Sequence, residues 1–306
     1  MVKDLTEITI KEIMAKAYSQ HIVIPAFNIP YLPMVKSICD TLKECACFGM
    51  VEVSRVEVEK FETKSFRAAA EEFNKYADRG YVRLHQDHIP VIDEDGKRVK
   101  WKPLIEEAMH LRYDSVMIDG SRLTLEENVE ITKAVVEIGS SHGVPVEAEL
   151  GAVMGHEKDP LPPYEELFQS GKGFTNVEKA GKFVEETSVD WLSIAIGNIH
   201  GAVSGAARDK KKIKARLNIE RLQRISEEVK IPLVLHGGSG IRLEYLLEAF
   251  KNGITKINVG TALYQAYKKN LKNGLESARK AVSQVVRDLI KDYKIQGSIE
   301  KIKEAL

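Results

Sequence analysis

"YVRLHQDHIP" (residues 81–90) starts as an apolar, aromatic and β-branched run and ends in His85, Asp87 and His88. Titratable groups are expensive to bury at a strand tip unless something there pairs or uses them. The segment therefore reads as a strand that carries chemistry at its C-terminal end. The fold depends on how many such strands the chain holds.

Seven other runs have the same character: "HIVIPAFN" (21–28), "GMVEVSRVE" (49–57), "YDSVMIDGS" (113–121), "PVEAELGAV" (145–153), "DWLSIAIGNIHG" (190–201), "IPLVLHGGSG" (231–240) and "ITKINVGTAL" (254–263). Each precedes a helical pattern. After 113–121, for example, Thr124 and Glu127 form a capping-box signature and Gly143 marks the helix exit. Strand–helix alternation means parallel strands joined by crossover helices. Eight such units predict an α/β fold, a closed (β/α)8 TIM barrel. An open doubly wound sheet would gather its polar residues at one switch point. Here they end nearly every strand: Asn28, Ser54, Asp87, His88, Asp119, Glu149, His200, His236 and Asn258. That distribution favours the barrel. We expect one domain over 1–306, with the barrel spanning about 20–265 and a Lys-rich helical extension over about 266–306. The extension is expected outside the barrel or on a neighbouring subunit. "IPVIDEDGKRVKW" (89–101) breaks the rhythm and predicts an inserted β-hairpin after strand three, with a two-residue turn at Asp95-Gly96. It projects over the mouth of the site or merely decorates the surface.

Composition narrows the class. The 306 residues carry 45 Lys+Arg and 45 Asp+Glu, a net charge of zero. This argues against nucleic acid and membrane surfaces as partners. No apolar run approaches the ~18 residues of a membrane span, and "MVKDLTEITI" lacks a signal-peptide core. The three cysteines, Cys39, Cys45 and Cys47, fall in one predicted helix and read as reduced thiols of a cytoplasmic protein.

His88, His200 and His236 end strands three, six and seven, and so converge on the top of a barrel. Three imidazoles with an open fourth position make a catalytic zinc site that polarises a substrate carbonyl. Glu149 is a candidate fourth or alternating ligand. Glu147, two residues earlier, and Asp119 are candidates to orient ligands or hold a second metal. Asp87 either exchanges a proton with a substrate oxygen or holds a histidine in place. His85, deeper in the strand, reads as structural, as do His21, His110 and His142. The glycine-rich turns "HGGSG" (236–240) and "NVGTAL" (258–263) are placed where barrels bind phosphate with backbone N–H groups.

From "VIPAFN" to "KINVGTAL" the sequence resembles the class II, zinc-dependent fructose-bisphosphate and ketose-bisphosphate aldolases. "LHQDH", "VMIDGS", "VEAELG", "AIGNIHG" and "VLHGGSG" follow that family's motif order. The resemblance implies zinc (or another divalent metal) on His88, His200 and His236, and a proton-donating Asp87. It implies a carbon-bound proton removed by Glu157, in "GAVMGHEKD". It implies phosphate contacts at Gly201, Gly237, Ser239, Asn258, Gly260 and Thr261, with Na+ or K+ nearby, and Asn28 and Ser54 lining the cleft. The implied reaction is reversible cleavage of a ketose 1,6-bisphosphate to dihydroxyacetone phosphate and an aldehyde. Fructose 1,6-bisphosphate, which yields glyceraldehyde 3-phosphate, comes first, and tagatose 1,6-bisphosphate or another ketose phosphate is the alternative. The implied setting is glycolysis and gluconeogenesis, in a cytoplasmic homo-oligomer (dimer or tetramer). Arg55, the longer hairpin, Ala202-Val203 after "IHG" and "GAVMGHE" depart from the family pattern on the aldehyde side of the cleft. No lysine is expected to form a Schiff base, because Lys256 reads as the start of strand eight. A metal-dependent sugar-phosphate isomerase or epimerase, or a silent binding protein of this fold, is the competing reading.

Overall fold

The computed structural model describes residues 5–153, 163–199 and 214–305. Eight parallel strands close into a barrel in sequence order: β1 (Ile24–Asn28), β2 (Gly49–Ser54), β3 (Val82–Pro90), β4 (Ser115–Asp119), β5 (Val146–Leu150), β6 (Trp191–Ile194), β7 (Leu233–Leu235) and β8 (Ile254–Val259), the last pairing back onto β1. This is the (β/α)8 TIM barrel. Its strands are buried on both faces, as parallel strands covered by helices must be.

Two apolar clusters divide along the barrel wall. Outward-facing residues such as Phe27, Val51, Leu84, Val116, Leu192 and Ile257 join the surrounding helices in one cluster. The helix Met34–Glu44, for instance, presents Val35, Ile38 and Leu42 to it at helical spacing. Ile24, Met50, Trp191 and Val234 form a second cluster with residues of the helices Ile10–Ser19 and Ser298–Glu304. Period two along the strands puts this second cluster inside the barrel, at its N-terminal end. The C-terminal extension therefore packs on its own barrel. Its helix Leu275–Asp292 lies along Met34–Glu44, and Ser298–Glu304 closes the base.

Above that apolar floor the interior turns polar. Glu52, His85, Glu147 and Lys256 are fully buried at mid-height, and Asn28, Ser54, Asp87, Glu149, His236 and Asn258 follow at the strand ends. Lys256 is the third residue of β8, not its start, and its inward direction follows from that register.

The insertion after β3 is a short ribbon. Val99 N–H donates to Val91 C=O (2.9 Å) and Asp93 N–H to Lys97 C=O (2.9 Å). Its connection has three residues, Glu94 to Gly96, rather than two. Gly96 N–H closes a turn on Asp93 C=O (3.0 Å), and Gly96 then takes φ +76°, the glycine position of three-residue hairpins. Asp93 accepts from the N–H groups of Asp95 and Lys97 (3.0 and 2.8 Å), which favours the longer loop. The ribbon is pinned down by Arg55 to Asp93 (3.7 Å), Lys60 to Glu94, and Arg122 Nη1 donating to Asp93 C=O (2.8 Å). Lys97, Arg98 and Lys100 remain exposed.

Only Cys39 of the three cysteines lies within the helix, which ends at Glu44. All three are free thiols. Burial pushes Cys39 and Cys47 up to about 12, which makes them inert.

Ile302 is fully buried in the basal cluster, at the opposite end from the polar strand tips. Ile302→Ala is expected to lower the free energy of unfolding by about 2–5 kcal/mol, read as a lower urea midpoint. KM for substrate should not change.

Candidate active site

A regular strand sends successive side chains to opposite faces, so Asp87 and His88 should not share a site. The β3–β4 register shifts between Gln86 and Ile89, and His88 takes φ +34°. This bulge turns His88 back toward the barrel mouth. Ligand atoms of Asp87, His88 and His236 then lie within 4.8 Å of one another. A left-handed conformation at a non-glycine residue is strained by about 1–3 kcal/mol and persists where the surroundings enforce it. Bulges that re-aim a side chain are common beside active sites.

The two histidines are held by carboxylates. Glu147 Oε1 lies 2.9 Å from His236 Nε2, and Glu149 Oε2 lies 3.3 Å from its Nδ1. Asp119 Oδ2 lies 3.3 Å from His88 Nδ1, and Glu149 Oε2 lies 3.8 Å from the same atom. The rings sit 4.4 Å apart, edge to face. Burial opposes a charge on either ring, but the surrounding anions prevail. They raise His88 to about 9, mainly through Asp87, and His236 to about 10, mainly through Glu147 and Glu149. Imidazole nitrogens and carboxylate oxygens in one buried cluster form a donor set that suits zinc and related borderline cations. His88, His236 and Glu149 are placed to hold such an ion, with Asp119 beside them. Glu52, His85 and Asp87 also gather within 4.8 Å. There the Lys256 ammonium already lies 3.2 Å from Glu52, so a metal ion would meet a resident cation.

Asp87 is clamped by two amides. Asn28 Nδ2 donates to its Oδ2 and Asn258 Nδ2 to its Oδ1, both at 3.0 Å. Burial raises its pKa, yet His88, His236 and Lys256 outweigh that and hold it below the ordinary carboxylate value. Asp87 thus rests as an acceptor, able to take a proton. Ser54 has a structural task. It is the N-cap of the helix Arg55–Lys60, accepting from Glu57 N–H (3.3 Å) while Glu57 Oε2 accepts from Ser54 N–H (2.7 Å) and its hydroxyl (3.2 Å).

The turns after β7 and β8 lie side by side. Gly237 has φ +76°, and Ala262 N–H donates to Ser239 Oγ (3.4 Å). A Cβ at Gly260 would come within 3.2 Å of the Asn28 side chain, so glycine lets β8 approach β1 at the mouth. Thr261 opens the next helix, Thr261–Leu271. Glu157, His200 and Gly201 lie outside the described residues.

The sequence reading missed Glu52, Glu57 and Lys256. Period two was the available signal for two of them. Counting back from Ser54 gives Glu52, and counting back from Asn258 gives Lys256. Glu57 was visible as the third residue after Ser54, a capping-box spacing.

The model of the family described as fructose-bisphosphate aldolase class-II matches residues 8–305. Among solved structures, the YdjI aldolase of Escherichia coli K12 superposes with a TM-score of 0.73 at 28% identity, over 94% of this chain and 98% of that one. A putative fructose-1,6-biphosphate aldolase from Coccidioides immitis gives 0.73 at 25% identity, over 94% and 96%. The fold is shared at 19% identity with the fructose-bisphosphate aldolase of Campylobacter jejuni (TM-score 0.72, 94% of each chain).

Glu57 gives a pH test. Burial pushes its carboxyl up to about 8 in the folded chain, against about 4.3 when unfolded. Between those values the folded state holds the extra proton, so stability falls as pH rises through that window. Glu57→Gln removes that fall. Melting temperatures from about pH 5 to 9 should diverge, with the variant gaining on the parent as pH rises. Parallel curves would reject the assignment.

Proposed function

The chain belongs to the class-II fructose-bisphosphate aldolase family, and is therefore a lyase; on that premise we propose that it reversibly cleaves a ketose 1,6-bisphosphate, foremost fructose 1,6-bisphosphate, to dihydroxyacetone phosphate and glyceraldehyde 3-phosphate. Tagatose 1,6-bisphosphate is the nearest competitor, because the two sugars differ only in configuration at one carbon. The observation that carries the reading is the union of Asp87, clamped by two amides, with His88 and His236 at the barrel mouth.

A divalent ion, zinc by the donor set, would supply a Lewis acid for the ketose carbonyl. His88, His236 and Glu149 would hold it, together with His200 by family resemblance. Glu147 fixes His236 from behind, on the ring nitrogen opposite the one facing Glu149, whereas Asp119 faces the same ring nitrogen of His88 as Glu149 does. In cleavage, Asp87 takes the proton from the hydroxyl beside the breaking bond. Its amide donors stabilise the carboxylate to which the proton is transferred. In condensation it returns that proton to the aldehyde oxygen. Glu157 would carry the proton of the three-carbon product. The backbone of the turns at Gly237, Ser239, Gly260 and Thr261, with Gly201, would hold its phosphate, near Na+ or K+. Lys256 is fully buried among carboxylates and an amide, an environment that keeps it protonated and unreactive toward carbonyls. Among the described residues no helix is long and apolar enough to cross a membrane. A cytoplasmic homo-oligomer acting in glycolysis and gluconeogenesis fits the family resemblance.

A coupled assay across ketose phosphates tests the proposal. Triose phosphate should appear from fructose 1,6-bisphosphate, vanish with chelator and survive borohydride added with substrate. Borohydride inactivation without chelator sensitivity would establish Schiff-base chemistry instead.

Two substitutions should separate the proton transfers. Asp87→Ala should lower cleavage by roughly 10²- to 10⁴-fold while dihydroxyacetone phosphate still exchanges its carbon-bound proton with solvent. Glu157→Ala should slow the exchange itself. Equal loss of exchange in both, at unchanged zinc content, would refute the division of roles.

A further inference from the structure

Lys256 is a charged side chain in the barrel's polar layers that the chemistry above does not use. Its ammonium has three N–H groups and three acceptors close by: Asn258 Oδ1 at 2.7 Å, Glu147 Oε2 at 3.0 Å and Glu52 Oε2 at 3.2 Å. All four residues are buried, Asn258 with 5% exposure and the others with none. An amide's oxygen and nitrogen ends are nearly the same size, so shape alone does not decide which way it points. Its partners decide. An ammonium only donates and must face the oxygen. That leaves the Asn258 N–H end for Asp87 Oδ1, at 3.0 Å.

We propose that Lys256 is a positioning residue for proton transfer: its ammonium locks the Asn258 amide so that the N–H end always faces Asp87. Without the lysine nothing among these contacts forbids the reversed amide, which would aim its carbonyl at the Asp87 carboxylate. Asp87 would then keep one donor, Asn28, and lose its alignment. The direct contacts of Lys256 are with Asn258, Glu147 and Glu52, and it acts on Asp87 through Asn258. The inference rests on the aldolase reading only where it names the reaction affected.

The first test uses the unmodified protein and no activity. Neutron diffraction of deuterated crystals should show two deuterons on the Asn258 atom facing Asp87 and three on Lys256 Nζ. An amide oxygen facing Asp87, or a neutral lysine, would overturn the proposal. Such a failure leaves the aldolase reading intact, since that reading stands or falls on the parent's cleavage assay.

The second test is a double-mutant cycle on fructose 1,6-bisphosphate cleavage, with zinc content and melting temperature measured for each variant. Lys256→Met should lower kcat roughly 10²-fold with KM nearly unchanged. Proton exchange of dihydroxyacetone phosphate should persist. In an Asn258→Ala background, Lys256→Met should cause little further loss in kcat, because the residue it acts through is gone. An undiminished loss in that background would assign Lys256 a merely structural role. Loss of zinc from Lys256→Met would move its role to the Glu147–His236 contact; either result overturns the proposal.

Discussion

A buried cation sets the terms for the upper half of this barrel. Lys256 sits between Glu52 and Glu147 with no exposure to water. Taking such charges out of water is costly, and their attraction offsets the cost only when geometry is good and the remaining donors are satisfied. Asn258 Oδ1 and Glu147 Oε2 lie within 3.0 Å of the ammonium, and its two carboxylate partners diverge. The lysine holds Glu147 ionised against burial, whereas Glu52, lying near Asp87 as well, is raised well above the ordinary range, mainly by burial. The Glu147 carboxylate then also accepts from Trp191 Nε1 (2.9 Å) and faces His236 Nε2. One ammonium thereby ties the barrel floor, through Trp191, to a histidine at the mouth. Barrels of this kind ordinarily fill their interior with branched apolar side chains. Here a charged layer replaces them, and rigidity at the strand tips comes from hydrogen bonds of defined direction rather than from packing alone.

The second constraint is the bulge in β3. Two adjacent residues are needed on one face, and the pleat forbids it. The register shift after Gln86 and the positive φ at His88 resolve that conflict at some cost in strain. The cost is met by contacts on both residues: Asp87 accepts from Asn28 and Asn258, and His88 faces Asp119. Local rules are thus broken where the chemistry needs it, while the remaining strands obey their period.

The barrel was legible because its signals are repetitive. Eight β-branched runs alternate with helical patterns, and polar residues end nearly every run. The candidate ligands were legible for the same reason, since the end of a strand is easy to locate. Depth within a strand is harder. Lys256 reads from the sequence as the start of its strand, and the register with β1, Ile24 against Lys256, shows it inside the barrel. Ser54 illustrates a different limit. Its position at the tip of β2 was visible, but its hydroxyl is engaged in the capping box of the helix that follows, a task that position alone did not announce. The hairpin shows a third. Asp95-Gly96 announced a turn, and the two-residue type was the natural reading. Asp93, one residue before the loop, decided otherwise by capturing two backbone N–H groups. Its backbone is in turn held by Arg122, and its carboxylate by Arg55. A ribbon anchored at Asp93 and Glu94 turns its acidic side toward the barrel and its cations outward, an orientation set by long-range ion pairs that no local pattern encodes.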